Sequence, residues 1–286
     1  MLVNMAEILR PTRANKFAVP AFNTSSNMIL SGVIEECEKT NSPVIIEIHP
    51  DELSFVRPSF VEAVKAEAHR THIPVCIHLD HGGSFAQVMN AIQCGFTSVM
   101  IDSSLSSFEE NIAITKKVVE AAHAVGVSVE AELGTIGTTV AGGAASTENI
   151  TYTNPDDVVK FTAATDVDCL AIAIGTGHGL YPKDKRPELK LDLLKTIASL
   201  VETPLVLHGG SDNPDAEIAE AVKLGVSKIN ISSDIKSAFY KKCREVLQDQ
   251  SLREPNVIYP PCIEAMKLVV HHKLELFNTL GAAKYY

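Results

Sequence analysis

Three histidines, His81, His178 and His208, stand in short motifs rich in small and polar residues: His-Leu-Asp-His (78–81), Gly-Thr-Gly-His-Gly (175–179) and Leu-His-Gly-Gly-Ser (207–211). A catalytic zinc typically takes three nitrogen or oxygen ligands from the protein and keeps one position open, and these imidazoles supply such a set. A single histidine is more often a hydrogen-bonded structural residue, so the reading depends on all three reaching one place. Asp80 lies beside His81, where a carboxylate can act as acid and base on a substrate hydroxyl or orient a histidine. Asp102 and Glu132 end two later apolar runs. They suit either tuning the first metal, or holding a second one, or pairing with a basic group. Two further elements suit a phosphate, Gly209-Gly210-Ser211 and Asn230-Ile231-Ser232-Ser233, because backbone N–H groups and hydroxyls ahead of a helix point at an anion.

These residues need a scaffold that gathers distant segments. Short apolar, β-branched runs recur at 17–23, 43–48, 74–80, 98–102, 128–133, 169–175, 204–208 and 228–232. Amphipathic segments lie between them, at 28–40, 59–71, 85–94, 109–125, 155–165, 190–200 and 215–224. Strand-then-helix alternation predicts parallel strands with crossover helices, and runs apolar on both faces predict a sheet covered on both sides. Eight units predict a closed (β/α)8 TIM barrel, with a doubly wound open sheet as the alternative. Gly or Pro stands at the helix-to-strand joints, whereas Asn23, His49, Asp80, His81, Asp102, Glu132, His178, His208 and Asn230 gather at strand C-terminal ends. That is the face where such barrels carry chemistry.

The segment 134–153, with Gly142-Gly143 in its middle, is a long Gly/Thr/Ser/Ala-rich connection and predicts a mobile lid. Within it, Glu148 is either a proton donor to the reacting carbon or a surface carboxylate. Lys183, Lys185 and Arg186 lie between Pro182 and Pro187 and read as a solvated loop. After the last strand, 234–250 predicts a helix, and 263–280 predicts a second beyond a break at Pro260-Pro261. One domain, 1–286, with a C-terminal helical extension, accounts for the chain.

The chain has 286 residues, 45% of them hydrophobic, enough for a sizeable core. Its formal charge of -10, from 25 Lys+Arg against 35 Asp+Glu, argues against a nucleic-acid surface. An anionic substrate must be held locally, against an unfavourable overall field. The six cysteines are dispersed, with no Cys-x-x-Cys pair, which predicts neither a disulfide framework nor a thiolate zinc site. No run predicts a membrane span or a secretory leader, so a cytoplasmic setting is expected.

Together the motifs resemble the class II, metal-dependent ketose-bisphosphate aldolases, in particular the tagatose-bisphosphate and short fructose-bisphosphate branch. The matching stretches span most of the chain: Ala18-Val19-Pro20-Ala21-Phe22-Asn23, Ser42-Pro43-Val44-Ile45-Ile46, His78-Leu79-Asp80-His81, Ser98-Val99-Met100-Ile101-Asp102, Val129-Glu130-Ala131-Glu132-Leu133-Gly134, Ile174-Gly175-Thr176-Gly177-His178-Gly179, Leu207-His208-Gly209-Gly210-Ser211 and Lys228-Ile229-Asn230-Ile231. The resemblance implies zinc on His81, His178 and His208, with Asp80 as proton donor and Asp102 and Glu132 at an alternative metal position. It implies that Gly179, Gly209, Gly210, Ser211, Asn230, Ser232 and Ser233 hold dihydroxyacetone phosphate, with a monovalent cation (Na+ or K+) near the phosphate. A homodimer or homotetramer is also implied. The expected activity is reversible aldol cleavage of a phosphorylated ketose; the alternative is a non-catalytic sugar-phosphate-binding or assembly subunit on the same barrel. A Schiff-base mechanism would need a lysine at a strand's C-terminal end, and Lys228 stands at the start of its run.

The chain departs from the family pattern in three places. Gly82-Gly83 follows His81, the lid lacks an acidic residue just after its Gly-Gly, and the segment before the last helix differs. Relatives that cleave bisphosphates carry an arginine there for the distal phosphate, whereas this chain reads Arg253-Glu254-Pro255-Asn256-Val257. With Asp51 and Glu52 expected at the rim and Arg57 nearby to offset them, the predicted aldehyde has an unphosphorylated far end.

Overall fold

The computed structural model describes residues 1–137, 150–182 and 188–286. Its nine strands are β1 (Leu2–Val3), β2 (Val19–Asn23), β3 (Val44–Ile48), β4 (Val75–Gly82), β5 (Ser98–Ile101), β6 (Ser128–Leu133), β7 (Cys169–Ile172), β8 (Leu205–Leu207) and β9 (Val226–Ile231). Hydrogen-bonded neighbours run β4-β3-β2-β9-β8-β7-β6-β5, and β5 pairs back to β4. The strands β2 to β9 therefore close into the expected (β/α)8 barrel. The open-sheet alternative is excluded by the parallel pairs His78↔Ser98 and Leu79↔Val99, which join what would have been its two edges.

The crossovers are helical: α3 (Asn27–Lys39), α4 (Pro50–Val56), α5 (Pro58–Arg70), α6 (Phe85–Cys94), α7 (Phe108–His123), α8 (Pro155–Thr165), α9 (Leu191–Leu200) and α10 (Asp215–Lys223). Each inward stripe follows from helical spacing. In α3, Ser26 caps the N-terminus through the Ile29 N–H, and Ile29, Leu30, Val33, Ile34 and Cys37 form the buried face. Ahead of β2, α1 (Met5–Leu9) and α2 (Thr12–Asn15) pack under the barrel, and Met5, Ile8 and Leu9 cluster with Val19, Ala21, Ile45, Cys76 and Val206. Segments this short carry no readable period, so the sequence pattern has no counterpart for them. None of the helices among the described residues is long and apolar enough to cross a membrane.

After β9 come α11 (Ser233–Val246) and α12 (Pro255–Leu276). The predicted break at Pro260-Pro261 is absent, since α12 runs through both prolines. Proline removes a backbone donor and crowds the preceding turn. Here both lie in the second turn of α12, where Asn256 and Val257 are exposed to water, so their carbonyls need no helical partner. Asp51 and Glu52, read from sequence only as part of a polar rim, lie in the first turn of α4, which has a capping box between His49 and Glu52.

The barrel interior is not wholly apolar. Lys228, the third residue of β9, is 0% exposed and places Nζ 2.7 Å from Glu47 Oε1 and 2.9 Å from Glu130 Oε2, both also fully buried. Burial alone would lower the lysine's pKa, but the two carboxylates outweigh it and hold the ammonium charged. Lys228→Met should leave two buried carboxylates without a cation, at a cost of about 3–5 kcal/mol. Urea unfolding of the metal-free variant checks this; a midpoint unchanged from the parent protein would refute it.

Candidate active site

A regular strand sends neighbouring side chains to opposite faces, yet Asp80 and His81 both line the cavity above the barrel. Two local features explain this. The β4–β5 ladder shifts register between Leu79 and Gly82, and His81 adopts a φ of 48°, a left-handed conformation uncommon outside glycine. The irregularity is fastened by the Asp102 N–H, which donates to Gly82 O at 2.9 Å. A Cβ on Gly82 would lie 2.4 Å from Met100 O, so the strand can turn here only with glycine. The first residue of the unusual Gly82-Gly83 pair thus has a steric cause.

The other two histidines arrive on touching loops. His208 follows β8 directly, and Gly209, with φ 62°, packs so tightly on the β7 loop that a Cβ would meet Gly177 O at 2.5 Å. The β7 loop carries His178, whose N–H donates to Gly137 O at 2.9 Å. Tyr181 braces that loop: its hydroxyl accepts from the Gly177 N–H at 2.6 Å.

As a result, His81, His178 and His208 offer ligand atoms within 4.8 Å of one another. His81 Nε2 and His208 Nδ1 are 3.0 Å apart, and the His81 ring meets that of His178 edge-on at 5.0 Å. Two nitrogens on one tetrahedral zinc lie about 3.3 Å apart for bonds of about 2.0–2.1 Å, close to this spacing. The rear nitrogens are engaged: His81 Nδ1 with Asp102 Oδ2 at 2.9 Å, and His208 Nε2 with Glu130 Oε1 at 2.7 Å. Such partners fix the tautomer so that the front nitrogen carries the lone pair. Glu132 Oε2 is buried without a hydrogen-bond partner among the described residues, 3.7 Å from His208 Nδ1. An orphaned acceptor beside converging imidazoles suits a cation. His81, Asp102 and Glu132 form a second group of the same kind.

The electrostatics agree. Burial disfavours a charge on His81, but Asp80 and the Asp102 hydrogen bond outweigh it and push the pKa up to about 10. Burial, then the nearby His81 and His208 charges, push His178 down to about 3. One positive charge is therefore favoured among the three rings, and a metal binding there would replace that proton. Burial also pushes Glu132 up to about 8 despite His81. For Asp80 burial acts upward, yet His81, His208, Lys228 and the Asn23 amide hold it well below the usual carboxylate range. Its Oδ2 accepts from Asn23 Nδ2 at 2.8 Å and its Oδ1 from Asn230 Nδ2 at 3.2 Å.

A cavity of about 700 Å³ opens over this cluster, lined by Asp80, His81, His178, Gly179, Gly209, Ser211, Asn230, Ser232 and Ser233 among the expected residues. Gly210 supports the wall from behind, donating its N–H to Asn230 O. His208, Asp102 and Glu132 stand beneath or beside the lining. The same cavity takes in Asn23, His49, Glu52 and Lys236. Lys236 lies in no motif, and Glu130, though it lies within Val129-Glu130-Ala131-Glu132-Leu133-Gly134, shows no role in sequence because its partners His208 and Lys228 are 78 and 98 residues away. Arg57, expected to offset the rim carboxylates, lines a separate cavity with Pro50, Leu53 and Gln87, and Lys236 pairs with Glu52 instead. Arg253 is exposed and donates to Ser251 O. Gly142, Gly143, Glu148, Lys183, Lys185 and Arg186 lie outside the described residues.

Comparison with known proteins agrees with this geometry. A sequence-family model described as "Fructose-bisphosphate aldolase class-II" matches residues 3–282. Curated relatives named fructose-bisphosphate aldolase include one from Thermus caldophilus, 39% identical over 305 residues, covering 99% of this chain and 100% of its own. Another, from Geobacillus stearothermophilus, is 39% identical over 290 residues, covering 99% of each. Among solved structures, the YdjI aldolase from Escherichia coli K12 superposes with a TM-score of 0.88 at 33% identity, over 99% of this chain and 100% of that one.

Proposed function

The chain belongs to the class II fructose-bisphosphate aldolase family, and from that premise we propose the division of labour by which it cleaves a phosphorylated ketose to dihydroxyacetone phosphate and an aldehyde. Zinc is held by His81, His178 and His208, with Asp102 and Glu132 at an alternative position; the observation that carries this reading is the convergence of three imidazoles within 4.8 Å. When bound, the metal supplies Lewis-acid stabilisation of the negative charge that develops at the ketose carbonyl oxygen. Asp80, ionised and oriented by Asn23 and Asn230, accepts the proton of the hydroxyl that becomes the aldehyde. In condensation it returns that proton. Gly179, Gly209, Ser211, Asn230, Ser232 and Ser233 cradle the substrate phosphate, with Gly210 behind them. The reading carries a monovalent cation beside the phosphate and a homodimer or homotetramer; the exposed Tyr240, Val257 and Leu268 on α11 and α12 favour an apolar contact there.

Among the described residues, the buried amine inside the barrel that a Schiff-base route could use is Lys228; the other buried lysine, Lys273, lies on α12 and pairs with Asp234. Such a nucleophile needs a depressed pKa, whereas Glu130 and Glu47 hold Lys228 charged despite its burial. The substrate's far end is taken to be unphosphorylated. Arg57 lines another cavity, Arg253 is exposed at the α11–α12 connection, and the active-site cavity itself carries Glu52, already paired with Lys236.

Chelation should abolish activity, and zinc, cobalt or manganese should restore it. Asp80→Ala should retain the metal, measured by mass spectrometry, while cleavage slows on the order of 10²–10⁴-fold; an Asp80→Ala protein inactive only because it has lost its metal would contradict the assigned role. Fructose and tagatose bisphosphates should turn over with lower kcat/KM than a ketose 1-phosphate bearing an unphosphorylated, longer or acidic tail. Bisphosphates that outperform every such ketose would overturn the assignment of the far end.

A further inference from the structure

The mechanism above leaves one charged pair in the catalytic cavity unused. Lys236, one turn into α11, pairs with Glu52 from α4, and its Nζ also donates to Ser232 Oγ at 3.0 Å. Among the described residues lining the cavity, Lys236 is the only lysine or arginine. Ser232 is the N-cap residue of α11, yet its hydroxyl makes no capping bond; in the first turn the Asp234 N–H donates instead to Ser211 Oγ at 3.3 Å, which ties this helix start to the loop after β8. Beside them, Asn230, 7% exposed, has an Oδ1 without a hydrogen-bond partner among the described residues. An ordered water beneath a bound phosphate would supply one. In a chain of formal charge -10, a phosphate dianion in this cavity meets the unfavourable field of Glu52 and Asp80, and Lys236 is the protein's own charge there that can offset it beside any bound cation.

We propose that Lys236 is the specificity residue for the phosphate of the donor half, held by Glu52 in the free enzyme and exchanged onto the phosphate at Ser232 and Ser233 when substrate binds. The proposal rests on the phosphate position assigned above. Because Lys236 already reaches the Ser232 hydroxyl, an anion on that hydroxyl lies within the ammonium's range and needs only a change of partner. Glu52 then acts as a competitor: it keeps the lysine directed at the cavity and disfavours ligands that carry too little charge to displace it. An unphosphorylated ketose gains nothing from the exchange, so the pair discriminates by charge where the neutral hydroxyls and N–H groups do not.

Calorimetric titration of the zinc-loaded enzyme with inorganic phosphate and with dihydroxyacetone phosphate tests this. Lys236→Met should weaken both by about tenfold to a hundredfold, as expected for a lost hydrogen bond to a charged group, and Lys236→Arg should recover most of the loss. Glu52→Gln should act in the opposite direction, tightening both ligands several-fold because the competitor is gone. In steady state, Lys236→Met should raise KM for a phosphorylated ketose more than it lowers kcat. If the parent enzyme binds neither ligand at this site, the phosphate assignment itself fails. If the parent binds and Lys236→Met binds equally well, the role of Lys236 is refuted. Weakening by both Lys236→Met and Glu52→Gln would mark the pair as a mere tether between α4 and α11. A loss seen with the intact ketose but not with dihydroxyacetone phosphate would move Lys236 to the aldehyde end and overturn the proposal.

Discussion

His208 is held from behind by Glu130, at 2.7 Å through its Nε2, and Glu130 is held in turn by Lys228 at 2.9 Å. The rest of the site depends on that chain. An imidazole offered to a metal must be neutral and must turn its unprotonated nitrogen forward, and a fixed acceptor behind it secures both. A buried glutamate can be that acceptor only while ionised, which a dry barrel interior opposes. Lys228 removes the opposition, and Glu47 shares it from the other side. Three strands thus build a cluster that serves the histidine just after β8: β9 and β6 contribute the charges of Lys228 and Glu130, and β3 contributes Glu47, whose carboxyl burial pushes up to about 8 despite Lys228. The polar interior carries a large desolvation cost, and the orientation of His208 is what it secures.

The second constraint is steric. Asp80 and His81 are sequence neighbours for which different tasks are proposed, one for a proton and one for a metal, and both face the same cavity. A straight strand forbids this. The register shift in β4, the positive φ of His81 and the absence of a side chain at Gly82 together make it possible. Strain of this kind persists where neighbouring structure over-determines it, and here the Asp102 N–H to Gly82 O bond and the Asp102 carboxylate on His81 Nδ1 fix the distorted end of β4. Asp102 therefore supports the site through both its backbone and its side chain, whether or not it ever ligates a metal.

Much of this was legible in the sequence for definite reasons. Eight two-sided apolar runs with helical spacing between them imply a closed parallel barrel, and residues at strand C-terminal ends fall on one face, so His81, His178, His208, Asp80 and the glycine-rich loops could be placed together. What escaped lies at two extremes of range. Pairings over long sequence separation leave no local trace: Lys228 with Glu47 and Glu130, and Lys236 with Glu52, are visible only once the barrel brings β3, β6, β9, α4 and α11 together. Very local context also misled. Pro260 and Pro261 read as a break, yet the exposed second turn of α12 tolerates both. The Asp51-Glu52 rim read as acid offset by Arg57, whereas Lys236 pairs with Glu52, His49 and Glu52 cap a short helix, and Arg57 lines another cavity.

The proposed metal site consists of three imidazoles from the ends of β4, β7 and β8, with no thiolate or carboxylate-only alternative. X-ray absorption at the zinc edge of the loaded protein tests it most directly. The expected spectrum has a first shell dominated by three nitrogen scatterers with the outer-ring signature of imidazole, at about 2.0–2.1 Å. A sulfur shell at about 2.3 Å, or a shell of oxygens without imidazole scattering, would contradict it.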